Sequence, residues 1–298
     1  MAGARADLTP GSADRFNLSG SLAVIATMHG KQEVLAPLLS DGLGLLCRVP
    51  AGLDTDRFGT FSRDRARDGN ALDAARAKAA AALDLMPEAR IAIASEGSFG
   101  PHPQIPFAPM GRELVLLIDR ATGLEITGHD ATLDVRYAHA IARSLAEAEA
   151  FAARVGFPQH ALIVMGCKGE EPDPHSALAK GITRPEALAE AVARAIALSG
   201  AAFVETDMRA HLNPTRMAAI ARAGTDLVQR YMSRCPACTQ PGFAVTQRIG
   251  GLPCSWCGTP TALTLAEVLS CAACGHSEER CASNQPSADP AHCPRCNP

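Results

Sequence analysis

Residues 91–106 read IAIASEGSFGPHPQIP. The opening run is apolar at every position, the pattern of a strand buried on both faces. It meets one carboxylate, Glu96, followed by a stretch rich in Gly and Pro. Two readings are open. The stretch is a turn at a sheet edge, or Glu96 is held at a strand end for chemistry.

Outward from this run, apolar strands and helices alternate. SLAVIATMHG (21–30) reads as a buried strand ending in a turn, and residues 31–44 as a short helix with Val34, Leu35, Leu38 and Leu39 at helical spacing. LLCRVP follows as a second strand, and 54–70 as a polar loop. The Ala-rich segment 70–86 is a helix that Asn70 caps. ELVLLIDRATGLEITGHD forms two strands around the turn Arg120-Ala121-Thr122-Gly123. A helix over 144–156 stops at Gly156, and ALIVMG (161–166) is another buried strand. Residues 167–182 read as a charged loop, and Thr183 with Glu186 as the capping box of a helix that Gly200 ends. AAFVET (201–206) is a strand. Asn213-Pro214 then starts a helix reaching about Met232. The expected fold class is α/β: a layered domain over 20–232 with a mixed, largely parallel sheet, followed by two small four-cysteine zinc ribbons over 233–298. Residues 1–19 are expected to be a disordered lead-in.

The chain has 298 residues, 47% of them hydrophobic, and a formal net charge of −3. A sizeable core is available, and the charge balance exerts no general pull toward nucleic acid or membranes. The sequence has neither an 18-residue apolar stretch nor an apolar segment of signal-peptide type, so no membrane partner and a cytoplasmic location are expected.

Nine of the eleven cysteines follow residue 230. Eight form the pairs Cys235/Cys238, Cys254/Cys257, Cys271/Cys274 and Cys293/Cys296. Fifteen residues separate Cys238 from Cys254, and eighteen separate Cys274 from Cys293. Two C-x-x-C knuckles at such spacing make a tetrahedral thiolate site. The simplest pairing is by order along the chain; crossed pairing is the alternative. Two structural zinc ions are expected, each fully ligated and without an open position. Cys281, His276 and His292 are bystanders. Residues 231–298 carry four basic and four acidic side chains, so their charge does not favour nucleic acid over a protein contact.

Polar residues gather just past several strand ends. Thr27, His29, Gly30 and Lys31 lie between a strand and a helix start, where free amides and a lysine suit phosphate. Asp54 and Asp56 follow the second strand, as Mg²⁺ or Mn²⁺ ligands or as a solvated turn. Glu96 and Ser98 follow the third. Lys78 lies on the helix before it, facing solvent or phosphate. Glu205, Asp207, Arg209, His211, Asn213 and Arg216 crowd the segment between the last strand and its helix. Arg209 and Arg216 suit an oxyanion, and Asp207 a metal; the bland alternative is a salt-bridged helix start.

ATMHGKQEVLAPLL, DTDRFGTF, IASEGSFGPHPQIPF and ETDMRAHLNPTRM, with the double ribbon, resemble an uncharacterised bacterial family known only as a domain of unknown function. The order strand–Thr–turn–Gly-Lys–helix, a later A-x-x-KA helix and a strand ending in an acid is similar, over 20–165, to the inosine triphosphate pyrophosphatase-like and Maf-like enzymes. That likeness implies a Mg²⁺-dependent hydrolase of nucleoside triphosphates. Thr27 and Lys31 would hold phosphate, Lys78 would assist, and Glu96 would be the metal-binding or catalytic acid. His29 stands where those enzymes tend to have Asn, and 168–232 and the ribbons have no counterpart there. The expected function is hydrolysis of a nucleotide or other phosphorylated small molecule. The alternative is a ribbon module that binds nucleic acid or a protein, with the α/β domain as scaffold.

Overall fold

A computed structural model describes residues 14–55, 70–282 and 285–298. Two compact units emerge, Leu18–Val228 and Gln229–Pro298, the latter together with residues 14–17. The end of the expected lead-in departs from disorder: Asp14–Phe16 is a 3₁₀ turn, and Phe16 and Leu18 are buried. The rest of that lead-in, and Asp56, lie outside the described residues.

The Leu18–Val228 unit is a mixed α/β fold with two sheets. The first has the order β2 (Leu46–Arg48), β1 (Leu22–Ala26), β3 (Ile91–Pro101), β4 (Pro109–Asp119), β5 (Leu124–Thr132). β1 pairs in parallel with β2 and β3, whereas β3, β4 and β5 form an antiparallel meander. Alternation sets the two faces. Val24, Ala26, Ala92, Ala94 and Leu116 face one way and pack with the alanines of α2 (Ala71–Leu85). Asn70 caps α2, accepting hydrogen bonds from the amides of Leu72 and Asp73 at 2.9 and 3.0 Å. On the other face lie α1 (Gln32–Leu43) and α5 (Pro214–Met232). α5 lies so close to β5 that a Cβ on Gly128 would fall under 3.0 Å from backbone atoms of Ala223 and Leu227.

The second sheet has the order β6 (His139–Ala142), β10 (Ala202–Thr206), β7 (Leu162–Lys168), with β8 (Glu171–Asp173) and β9 (Ala179–Ile182) also pairing with β7; every pairing is antiparallel. α3 (Leu145–Val155) and α4 (Pro185–Ser199) cover one face through Phe151, Val155, Leu188 and Val192. Three expectations are corrected here. Residues 167–182 are not a loop but hold β8 and β9. Glu96 does not end its strand, since β3 continues five residues further, paired with β4. The Thr183–Glu186 capping box does not form: Pro185 occupies the first helical position, which shifts the cap to an extended Arg184 that makes no side-chain cap.

The Gln229–Pro298 unit carries the sheet β11 (Ala244–Gly250), β12 (Thr264–Ser270), β13 (Ser277–Cys281), all antiparallel. Its small apolar centre joins Phe243 and Leu269 to cysteines. Among the described residues no helix is long and apolar enough to cross a membrane.

Candidate functional site

β1 stops pairing with β3 at Ala26↔Ala94, yet β3 runs on. The edge of β3 beyond Ala94 therefore lacks its parallel neighbour, and five buried charged side chains collect around it. Lys31, at the start of α1, reaches the vacated edge; its Nζ donates to Ser95 Oγ at 3.0 Å and to the Ser95 carbonyl at 3.3 Å. Glu96 points to the α2 face, where Lys78 pairs with its Oε1. On the opposite face Glu113 stands across the ladder from Gly97. Arg216, from the first turn of α5, donates through Nε to Glu113 Oε1 at 2.8 Å and through Nη1 to the Met208 carbonyl. Gly97 is what lets these two meet over the strand: a Cβ there would lie 2.5 Å from Glu113 Oε1 and 2.9 Å from Arg216 Nη2.

The local sequence explains each placement. Period-two alternation sends Glu96 to α2 and Ser95 and Gly97 to the α1/α5 face. Asn213 caps α5, accepting from the Arg216 amide at 3.0 Å, with Pro214 at the first helical position. That cap orients the turn from which Arg216 projects.

Electrostatically the cluster is crowded. Lys31, Lys78 and Arg216 bring three positive groups, Glu96 and Glu113 two negative ones, and all are at most 7% exposed. Burial, then the nearby charges of Arg216 and Lys78, pull the Lys31 ammonium down from 10.5 to about 7. Glu113 Oε2 is buried with no hydrogen-bond partner among the described residues. A buried carboxylate oxygen in that state is open to a donor or a cation.

The remaining predicted residues divide. Thr27 is buried and its Oγ1 accepts from the His29 amide at 3.2 Å, closing the turn. His29 stacks on His211 at 5.3 Å between ring centroids. Gly30, in the left-handed region at φ 71, passes within contact of His211. Burial, then Arg209, hold the His211 imidazole below its ordinary pKa. The turn after β1 and the segment after β10 are thus neighbours. Asp54 is exposed; its neighbour Thr55 donates its amide to Met28 Sδ, which places that loop against the same turn. Ser98 is exposed beyond the cluster.

Asp207 and Arg209 are engaged elsewhere. Asp207 accepts from the Arg209 guanidinium and amide and from the Gly181 amide, so both its oxygens are spent. It ties β9 to the loop after β10. Two members of the cluster, Ser95 and Glu113, were not singled out by the sequence. The available signal for Glu113 was its place at the head of an apolar run opposite a glycine, readable only with the hairpin register in hand.

In the Gln229–Pro298 unit the cysteines form two sets of four. Cys235, Cys238, Cys271 and Cys274 make one; Cys254, Cys257, Cys293 and Cys296 make the other, with the ligand atoms of each set within 4.8 Å of one another. The pairing is therefore crossed, not by chain order. The register of β11 with β12 dictates it. Ala244 faces Ser270, so the first knuckle meets the third; Gly250 faces Thr264, so the second lies at the far end and is completed by the fourth. Sulfur–sulfur separations from 3.4 to 3.9 Å lie near the edge of about 3.8 Å in a Zn–S₄ tetrahedron with 2.3 Å bonds. They exclude disulfides, which need about 2.05 Å. The knuckles share one turn. The amides of Thr239, Gly258, Gly275 and Asn297 donate to the carbonyls of Cys235, Cys254, Cys271 and Cys293. Gly258 and Gly275 supply positive φ there, and Thr239 adopts φ 62 without being glycine. Cys281, His276 and His292 belong to neither set. Both sets fit zinc and leave it no open position.

A search of the curated proteins finds no significant match, and so none to the pyrophosphatases expected from residues 20–165. The family described as "Domain of unknown function (DUF6671)" matches residues 78–298, a span that takes in Lys78, Glu96, Glu113, Arg216 and all eight clustered cysteines, and the chain belongs to that family.

Proposed function

We propose that the Leu18–Val228 unit hydrolyses a phosphorylated small molecule, with nucleotides as the first class to test, and that the other unit binds two structural zinc ions. One observation carries the hydrolase reading: Lys31, Lys78 and Arg216 converge with Glu96 and Glu113 at the vacated edge of β3. Three fixed cations against two carboxylates leave one positive charge in excess when all are ionised. An arriving phosphate restores balance and raises the proton affinity of Lys31. Lys31 and Arg216 then hold phosphate oxygens, Arg216 with its planar fork. Glu96, released from Lys78, orients the attacking water. Glu113 is the residue that would hold Mg²⁺ or Mn²⁺ on the Arg216 face, and its Oε2 atom fits that demand. Such an ion, when bound, screens the phosphate charge.

The test is release of phosphate or pyrophosphate from a panel of nucleoside triphosphates, monophosphates and sugar phosphates with Mg²⁺ or Mn²⁺. Wild type should turn over at least one class, and Glu96→Gln should lose roughly 10²-fold or more of that rate. Equal rates for both proteins, or no turnover on any substrate, would remove the hydrolase reading.

A second reading, partner binding by the zinc-bearing unit, rests on Trp256. The chain's single tryptophan stands 79% exposed in the second knuckle. Quenching of its fluorescence by an oligonucleotide would favour that reading, and an unchanged signal would count against a nucleic-acid partner.

A further inference from the structure

A separate cleft of about 440 Å³ lies between β9 and α4, within the range of small-molecule sites. Its walls include Lys180, Gly181, Arg184, Ala187, Glu190 and Arg194. Arg184, Ala187, Glu190 and Arg194 recur every three or four residues, so one face of α4 forms one wall. The apolar face of the same helix is already used: Leu188, Val192 and Ala195 pack into the core. The cleft wall is therefore spare surface, and its charge is lopsided. Arg184 and Arg194 stand against Glu190. Arg184 and Arg194 have no ion-pair partner among the described residues, unlike Arg76, Arg90, Arg209, Arg216 and Arg222, each of which meets a carboxylate. Arg184 also begins α4 without a side-chain cap; Pro185 has no N–H, which leaves the Glu186 and Ala187 amides at the same end. The backbone there is held from behind. Asp207 takes the Gly181 amide at 3.1 Å, and a Cβ on Gly181 would lie 3.0 Å from Arg209 Nη2.

We propose that this cleft binds a phosphate-bearing small molecule, its phosphate at the Arg184 end against the start of α4 and its remaining body along the helix toward Arg194. The two arginines are ten positions apart, about 15 Å along the axis, and their side chains close part of that distance. A bare phosphate fills only one end; a molecule of nucleotide size fills both. The site is distinct from the Lys31 cluster and does not depend on hydrolysis there.

The test is calorimetric titration of the full, zinc-loaded chain with inorganic phosphate, AMP and citrate. AMP is expected to bind saturably and more tightly than phosphate or citrate. Arg184→Gln and Arg194→Gln should each weaken AMP about tenfold, the worth of a lost charge-assisted hydrogen bond, while Arg76→Gln, on α2 and paired with Glu125, leaves that affinity unchanged. Circular dichroism of the variants guards against misfolding, since both arginines are exposed. Undetectable AMP binding, citrate binding more tightly than AMP, AMP affinity unaltered in both Arg184→Gln and Arg194→Gln, or an equal loss of AMP binding in Arg76→Gln would each overturn the proposal.

Discussion

Lys31 is the residue at which burial and charge conflict most openly. Its ordinary value is 10.5, and in the folded chain it falls to about 7, burial first and then Arg216 and Lys78 being the causes. Between these values the unfolded chain binds more protons than the folded one, so this group makes stability rise with pH from about 7 to 10.5. Below about 7 the full cost is present, on the order of a few kcal/mol. Lys31→Met removes the titration and keeps much of the stem's volume. The melting temperature of the variant relative to wild type should therefore be higher at pH 6.5 than at pH 9.5, read by circular dichroism at 222 nm. An offset independent of pH would show that Lys31 does not titrate in that window. At this scale much of the cluster was legible. Lys31, Lys78, Glu96 and Arg216 are charges set beside apolar runs, and such placement marks them. Ser95 and Glu113 were not legible, because a serine within a strand and a glutamate at its head look the same whether solvent or a buried arginine faces them. The partner of Asp207 was not legible either: it is an acid near a strand end, and its neighbour Arg209 folds back onto it.

Among elements, α5 has two tasks that pull on one geometry. It presents Arg216 to Glu113, and it lies directly on β5 at Gly128. A methyl group on Gly128 would press on backbone atoms of Ala223 and Leu227, which yield only if the whole helix lifts. Gly128→Ala should cost about 2–3 kcal/mol, lower the urea midpoint at 222 nm, and reduce any turnover as Arg216 shifts away from Glu113. Gly123→Ala is the control for added methyls, since a Cβ there meets nothing within 4 Å, although its φ of 72 adds local strain. A midpoint for Gly128→Ala at or above that of wild type would refute the close packing. Helices were readable because apolar spacing and caps agree: Asn70, Asn213, Gly156 and Gly200 each act where expected. Strands were harder. β9 reads AKGI, with only two apolar residues of four, and β8 reads EPD. Pairing with β7 makes them strands, and that partner is distant information. The two glycines and the proline of 97–101 likewise suggested a loop, yet β4 supplies a full register opposite them.

For the whole molecule, the decisive unknown in the sequence was how four knuckles share two ions. Pairing by order and crossed pairing use the same C-x-x-C spacing, and only the β11–β12 register separates them. In the crossed arrangement the two sets occupy opposite ends of a hairpin whose paired strands run roughly 20 Å, so the hairpin is clamped at both ends. This small unit has a slight apolar centre, and small domains of that kind depend on such clamps. The arrangement yields a test that pairing by order fails. Changing Cys235, Cys238, Cys271 and Cys274 together to Ser removes one complete set and spares the other, so one zinc per chain should remain against two in wild type. Changing Cys235, Cys238, Cys254 and Cys257 together halves both sets and should leave none. Pairing by order predicts the reverse: none in the first variant and one in the second. Metal content by mass spectrometry decides between them. Limited proteolysis after chelation adds the thermodynamic consequence. Cleavage should spread through the segment after Val228 while Leu18–Val228 stays protected, because the folding free energy of the clamped hairpin is supplied by metal binding and that of the α/β unit by its own two cores.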